Sequence, residues 1–200
     1  MSPVPNSHFK RLLSSFVSAL LLLFVVGNGI AQDEIQREGY FEVRSATTRL
    51  AEGVHVLDAR LQLILSNEAL EALSSGVSLR IELQMEVIRE RRFYMDATDA
   101  ELTIKHELEY RPLSQRYLVR NLNSGDQDSF ATLYSALNSL GRVQDLPVID
   151  DELLAPDRSY RIRLRAMLNT QQYPATLRLL FFWRGQWQLQ SEWFEWLLER

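Results

Sequence analysis

The strict alternation of residues 77–87 constrains this chain more than any other feature. Its odd positions are all apolar, namely Val77, Leu79, Ile81, Leu83, Met85 and Val87, and the five positions between them are polar or charged. A two-residue period places the two sets on opposite faces of an extended strand. At roughly 3.3 Å per residue the strand is about 35 Å long, so its apolar face needs a second layer to cover it.

Other segments repeat this pattern. With residues 77–87, the predicted strands are 41–50, 54–65, 101–110, 115–122, 158–168 and 186–193. Short turns join several of them, as in an antiparallel meander. Glu52-Gly53 is predicted to be the hairpin turn between the strands 41–50 and 54–65, and the change of parity near Val56 predicts a bulge or a face change there. We expect a mainly β fold, either an antiparallel, immunoglobulin-like β-sandwich or a curved meander sheet, with six to seven strands and two short α-helices. The sandwich is the interpretation we favour.

Two segments carry helix signals. Residues 67–74 follow Ser66, a typical N-cap, and Gly76 lies beyond their end. A second helix is predicted to begin with Asp128 or Ser129 as its cap and to end before Gly141. Residues 142–157, with two prolines and an acidic trio, are predicted to be the longest loop, and 96–99 a break between strands.

The N-terminus predicts export. Lys10 and Arg11 precede the uncharged apolar run 12–26, and Gly29 and Ala31 stand where a small-x-small cleavage site places them. The run is shorter than the ~20 residues of a spanning helix, which favours cleavage after export. The alternative is an uncleaved inner-membrane anchor, with membrane contact through this segment. We expect a signal peptide at residues 1–31, a flexible leader at 32–39 and a single β-rich domain at 40–200, located in the periplasm.

Composition excludes several classes of protein. The chain has no cysteine, which rules out a lipid-attachment cysteine, disulfides, thiolate catalysis and cysteine-ligated zinc. The formal charge is −4 and becomes −6 once residues 1–31, which hold two basic and no acidic residues, are removed. A net negative charge argues against a nucleic-acid partner.

Candidate catalytic or metal-binding groups are few. Outside the predicted signal peptide the only histidines are His55, beside a turn, and His106, whose position in its strand points inward. An inward histidine can be a ligand or a base but is more often satisfied by a polar neighbour. Three oxygen-rich clusters (residues 121–128, 96–101 and 150–152) fit turns or helix starts better than cation sites. We therefore predict no catalytic residue, no cofactor and no metal.

Two other features point to a partner surface. Arg161, Arg163 and Arg165 share one strand face, where cross-strand pairing with Glu82, Glu86, Glu107 and Glu109 is the default and anion binding the alternative. All four tryptophans lie near the C-terminus: Trp183, Trp187, Trp193 and Trp196. Aromatic side chains dominate interfaces but also close cores, so both roles stay open.

Several passages resemble a proteobacterial family of exported proteins, domain of unknown function 4390 (DUF4390). The passages are 72–79, before the long strand, 89–93, at its end, Tyr110-Arg111-Pro112-Leu113-Ser114, and 174–196. The resemblance implies a periplasmic or membrane-associated address and relatives encoded beside a two-component sensor kinase. It implies no established activity and no catalytic residue.

The function that these observations favour is that of a non-enzymatic periplasmic domain. We expect it to bind a protein partner, an envelope or sensor protein, through the C-terminal aromatic residues or the arginine face. The alternative is a carrier that holds a small ligand or a lipid between its sheets.

Overall fold

The computed structural model describes residues 38–91, 94–169 and 189–199. Among them are two α-helices, α1 (Asn67–Ser74) and α2 (Leu133–Leu140), and a short 3-10 helix (Asp151–Leu153). The described strands are β1 (Tyr40–Ala51), β2 (Val54–Ile64), β3 (Leu79–Arg89), β4 (Ala97–Arg111), β5 (Arg116–Asn121), β6 (Gln127–Phe130), β7 (Arg142–Asp150), β8 (Tyr160–Asn169) and β9 (Phe194–Leu197).

These strands form two antiparallel sheets. One has three strands in the order β1-β2-β7, and the other has six in the order β6-β5-β4-β3-β8-β9. Apolar side chains of both sheets form one core cluster. The predicted mainly β sandwich is confirmed, although the described residues hold nine strands where six to seven were predicted.

The alternation of residues 77–87 has the expected structural result. Strand β3 lies between β4 and β8, and its odd-numbered side chains Leu79, Ile81, Leu83, Met85 and Val87 are all buried in the core. Its even positions 80–86 face the other side of the sheet, where their partners on both neighbouring strands are polar except for Met167, which lies opposite Glu82. The apolar face of the longest alternating segment is thus the floor of the sandwich core.

The β1–β2 hairpin was also predicted correctly. Glu52 and Gly53 have φ values of 51° and 82°, the two positive values that a tight type I′ turn requires. Leu57, Leu61 and the other apolar positions of that parity in β2 are buried. The pairing of β2 with β7 shifts register at Val56, where the change of parity predicted a bulge.

Helix α1 is confirmed at its predicted bounds. The Ser66 hydroxyl accepts a hydrogen bond from the Ala69 amide at 3.3 Å, as an N-cap does. Helix α2 was predicted with the wrong start: Thr132 is its cap, accepting from the Ser135 amide at 3.1 Å. Asp128 and Ser129 instead lie in strand β6, because they pair with β5 and leave the helix to begin later.

The predicted long loop is also wrong over most of its length, since residues 142–150 form strand β7. Pro147 and a bulge at Asp145, whose φ is 51°, interrupt its pattern. Among the described strands, β7 lies at the edge of its sheet and pairs only with β2, and an edge tolerates a proline that donates no hydrogen bond. The predicted break at 96–99 is likewise partly strand, because β4 already begins at Ala97. A bulge lies in this part of β4, where the register with β3 shifts between Val87 and Ile88.

The predicted signal peptide, 1–31, lies outside the described residues, and so does most of the predicted leader. Among the residues that the structure describes, neither helix has the length and the hydropathy needed to cross a membrane.

Candidate functional site

The outer face of β8 carries the most distinctive side-chain cluster of the described residues. Arg161, Arg163 and Arg165 lie on this face, and Trp193, just before β9, lies beside them. We call these four residues the Arg–Trp surface. The alternate positions of β8 are buried in the core, so the backbone of this strand is held rigidly from below.

Trp193 stacks against two of the arginines. The guanidinium carbons of Arg163 and Arg165 lie 4.4 Å and 4.2 Å from the centroid of the indole ring. The register explains this contact: Phe194 of β9 pairs with Leu164, so the preceding residue of the chain comes opposite Arg165. Both distances lie within the range of a cation–π interaction.

Arg161 is the centre of an ion-pair network. Its guanidinium lies 3.2 Å from Asp96, 3.2 Å from Glu195 and 3.7 Å from Glu90. These carboxylates come from the β3–β4 connection and from β9, so one side chain joins three segments. Its charge is compensated within the domain.

The other two arginines differ in their partners. Arg163 donates two hydrogen bonds to a single carboxylate oxygen of Glu86, at 2.6 Å and 2.9 Å, and is therefore neutralised. Arg165 donates to the neutral amide oxygen of Gln84 at 2.9 Å. No carboxylate of the described residues forms an ion pair with Arg165. Within the described ranges, the stripe thus carries one positive charge without an acidic partner, next to the indole ring.

The remaining acidic residues expected on this face have other partners. Glu107 pairs with Arg120, and Glu109 with Arg111 at 3.3 Å. Glu82 is only 5% exposed and accepts a hydrogen bond from the Asn169 amide at 2.7 Å. Cross-strand pairing therefore occurs on this face. Of the four acidic residues expected to pair with the arginine stripe, Glu86 does so, with Arg163.

Trp196 has a different environment from Trp193. It lies on the inner side of β9 opposite Ile162 and packs against the core, and its indole N–H donates to the Thr48 hydroxyl at 3.2 Å. The hydrogen bond joins the last strand of the six-stranded sheet to β1 of the other sheet. Trp183 and Trp187 lie outside the described residues.

Of the two histidines, His106 lies on the inner face as predicted, whereas the burial of His55 was not expected from its sequence position. His55, which looked unremarkable beside its turn, is fully buried, and its Nε2 lies 2.9 Å from an Asp151 carboxylate oxygen. Only the three-dimensional pairing of β2 with β7 brings these residues together, although an acidic trio was the signal that could have suggested it. His106 lies on the inner face of β4 opposite Ile81, and burial of its imidazole lowers the pKa below its ordinary value.

The oxygen-rich clusters form turns and ion pairs. In the turn after β5, the Asn121 side chain accepts from the backbone amides of Asn123 and Ser124, and the Ser124 hydroxyl bonds to Asp126 at 2.6 Å. Asp99 pairs with Arg89 at 3.0 Å. Within the described ranges, no group of three or more histidine or acidic side chains is arranged to hold a metal ion.

Two cavities are lined by described residues of the smaller sheet. A groove of about 380 Å³ lies between β2 and the two helices. A second cavity, of about 530 Å³, lies between β7 of the smaller sheet and the start of β4 in the larger one, and Val54, Pro147 and Leu153 contribute to its lining. Neither cavity had been predicted, because each depends on how distant segments pack.

Comparison with known proteins gives one informative result. No curated protein matches the chain, and no solved structure does. The model of one family matches residues 39–197, which include all nine described strands. The chain therefore belongs to the family described as Domain of unknown function (DUF4390).

Proposed function

We propose that this chain is a non-enzymatic domain that binds a protein partner in the cell envelope through its Arg–Trp surface. The observation that carries the proposal is the stacking of Trp193 against Arg163 and Arg165 on the outer face of β8, where all three side chains are partly exposed. Tryptophan and arginine are the residues most enriched among those that dominate the binding energy of interfaces.

The charges of this surface indicate what the partner offers. Arg161 and Arg163 have acidic partners within the domain, whereas the polar partner of Arg165 among the described residues is the neutral Gln84 amide. A partner carboxylate that pairs with Arg165 would gain a charge-assisted hydrogen bond without displacing an existing ion pair. The neighbouring indole face would bury apolar surface of the same partner.

The proposed location rests on the N-terminal sequence. The basic residues, the apolar run and the small-x-small site of residues 10–31 support export to the periplasm, where an envelope or sensor protein is the partner class we expect. Osmotic-shock fractionation with N-terminal sequencing tests the location. A mature chain that begins at Gln32 in the shock fluid supports it, and an unprocessed chain in the membrane fraction contradicts cleavage.

The binding role is tested by affinity capture from envelope extracts with four versions of the full chain. A partner that binds the wild type should be lost with Trp193→Ala and with Arg165→Ala. Arg120→Ala is the matched control, because Arg120 lies on the same side of the same sheet and makes an ion pair of its own. Capture that is equal for all versions, or no capture at all, contradicts the proposal.

The carrier of a small ligand remains the second candidate function. The observation that favours it is the cavity of about 530 Å³ between the two sheets, which lies in the size range of ligand pockets. Solvent extraction of the purified protein followed by mass spectrometry tests it. A bound small molecule in stoichiometric amount supports the carrier, and an empty protein rejects it.

A further inference from the structure

Among the described strands, β7 pairs with only the first part of β2. Its pairing with β7 runs from Val54 to Arg60, which lies opposite Arg142. Its pairing with β1 continues to Ile64, opposite Tyr40. The last residues of β2 therefore form a short open edge inside the three-stranded sheet.

The start of this open edge is marked by a backbone hydrogen bond. The Leu61 amide donates to the Gly141 carbonyl at 2.7 Å, on the side of β2 that faces away from β1. Gly141 approaches so closely that a Cβ atom there would lie 2.3 Å from the Leu61 carbonyl oxygen. The end of α2 is thus fixed against β2 at this point.

The direction of the next backbone groups follows from the geometry of an antiparallel pair. Residues of one strand point their N–H and C=O groups alternately toward one neighbour and the other. Since the Leu61 amide points away from β1, the N–H and C=O of Leu63 point the same way. In the described part of the chain no hydrogen-bond partner is found for either Leu63 group.

The groove between β2 and the helices includes Leu63, a residue only 5% exposed, in its lining. Its volume is about 380 Å³ and its lining is mostly apolar, comprising Leu61, Leu63, Ile64, Leu65, Leu70, Leu133, Tyr134 and Leu137, with the amides of Gln62 and Asn138. None of the described lining residues is acidic, lysine, arginine or histidine. On its helical wall the Tyr134 ring is 79% exposed.

We propose that this groove binds an extended, uncharged peptide segment of another protein, which adds a strand to β2 beyond the end of β7. Main-chain hydrogen bonds to Leu63 would hold the segment, and alternate side chains would enter the apolar lining, as in other cases of strand addition. A neutral lining matches a segment without charges, because a buried unpaired charge would be costly. A lipid chain would fill the apolar space but leave the Leu63 backbone groups without partners. This site is separate from the Arg–Trp surface and does not depend on the function proposed for it.

The first test measures binding of a defined peptide to the full chain. The probe is a fluorescein-labelled peptide of about six residues that alternates valine with threonine and has blocked ends. Fluorescence anisotropy should show saturable binding. A version methylated at alternate backbone nitrogens keeps the side chains but cannot donate the same hydrogen bonds, and should bind at least about tenfold more weakly.

The second test places a charge at the groove. Asn138→Arg should weaken peptide binding at least about tenfold, because the new side chain puts a charge in the apolar lining. Ser139→Arg is the matched control, since Ser139 is the next residue of α2, exposed and outside the lining. It should leave the affinity unchanged. Circular dichroism verifies that both variants fold.

The third measurement locates the peptide. In hydrogen exchange followed by NMR, the Leu63 amide should become protected when the unlabelled peptide is added, while the Leu61 amide, already bonded, changes little. Absence of saturable peptide binding would overturn the proposal. So would equal binding of the methylated peptide, or displacement of the peptide by decanoic acid with no protection of Leu63.

Discussion

The two faces of strand β8 share one backbone but differ in how far their side chains are exposed and in what holds them. On the inner side, Tyr160, Ile162, Leu164, Ala166 and Leu168 are all at most 4% exposed. On the outer side, the side chains of Arg161 and Arg163 are 31% and 30% exposed and are held by ion pairs and an indole ring. The inner side chains stabilise the fold because their apolar area is removed from water. The outer side chains are held by contacts with specific residues of other segments.

This difference teaches which kind of inference each face permits. Burial of an apolar face is non-directional and follows from the two-residue period alone. An ion pair or a cation–π contact needs one named residue from another strand at the right register, here Glu86 from β3 and Trp193 from before β9. We therefore expect a substitution on the inner face to lower the free energy of unfolding more than a substitution on the outer face.

The largest effect is expected on the inner face. Ile162→Ala removes a fully buried side chain from the core, so we expect the free energy of unfolding to fall by about 2–5 kcal/mol. Urea unfolding followed by circular dichroism measures the change. A loss below about 1 kcal/mol would mean that the inner face is loosely packed and would remove the contrast with the outer face.

On the outer face, Arg161→Ala should have a smaller effect. The ion pairs of Arg161 are partly exposed, so we expect a loss of about 1 kcal/mol after screening by solvent. The loss should shrink in 1 M salt, where the screening length is only about 3 Å. Arg111→Ala, which removes a single exposed pair with Glu109, is the control and should change stability very little. An Arg161→Ala loss as large as that of Ile162→Ala would break the comparison.

Trp193→Leu should have a smaller effect still. The substitution keeps an apolar side chain but removes the ring that Arg163 and Arg165 contact, at a cost of about 0.5–1 kcal/mol. Thermal unfolding monitored by circular dichroism provides the measurement, and Trp196→Leu provides the contrast. Trp196 packs on the core and bonds to Thr48, so its replacement should cost more. The reverse order would assign the core role to Trp193.

The smallest expected effect concerns His106, a polar residue on the inner face. Burial lowers the pKa of His106 in the folded protein, whereas in the unfolded chain it is about 6.5. The unfolded chain therefore binds more protons as the pH falls through that value, and the free energy of unfolding should decrease with it. The decrease should end once the pH is below the folded pKa.

Urea unfolding of the wild type and of His106→Leu between about pH 7.5 and 5.5 isolates this effect, because the window brackets the ordinary histidine pKa. The variant should show a shallower decrease in stability across the window. His55 is present in both proteins and contributes equally to them. Equal slopes, or a steeper slope for the variant, would contradict the assignment.

Local signals predicted some elements well and others poorly. Helix α1 was correct at both ends, because Ser66 caps it directly and no strand competes for its first residues. The start of α2 was wrong because Asp128 and Ser129 pair with β5, a contact that overrides their capping tendency. Strand β7 was predicted as a loop because a proline and a bulge interrupt its alternation. Its partner β2 is also far away in the sequence, so no local signal indicates the pairing.

The candidate site divides in the same way. The common face of the three arginines follows from the period of β8 and was predicted from the sequence. That Arg165 is the arginine of the three for which no described carboxylate is a partner could not be predicted, since it depends on the register that brings Gln84 opposite it. The groove beside Leu63 was equally hidden, because it exists only where β7 ends and α2 crosses β2.

The sequence by itself determined which side chains of each long strand face the core, where the first hairpin turns and where α1 begins. These depend on interactions between residues close in the chain and on a period of two. Only the tertiary structure decided the partner of each charge, the burial of His55 against Asp151 and the open edge of β2. Those features need segments dozens of residues apart to meet at one register, and no local pattern specifies that meeting.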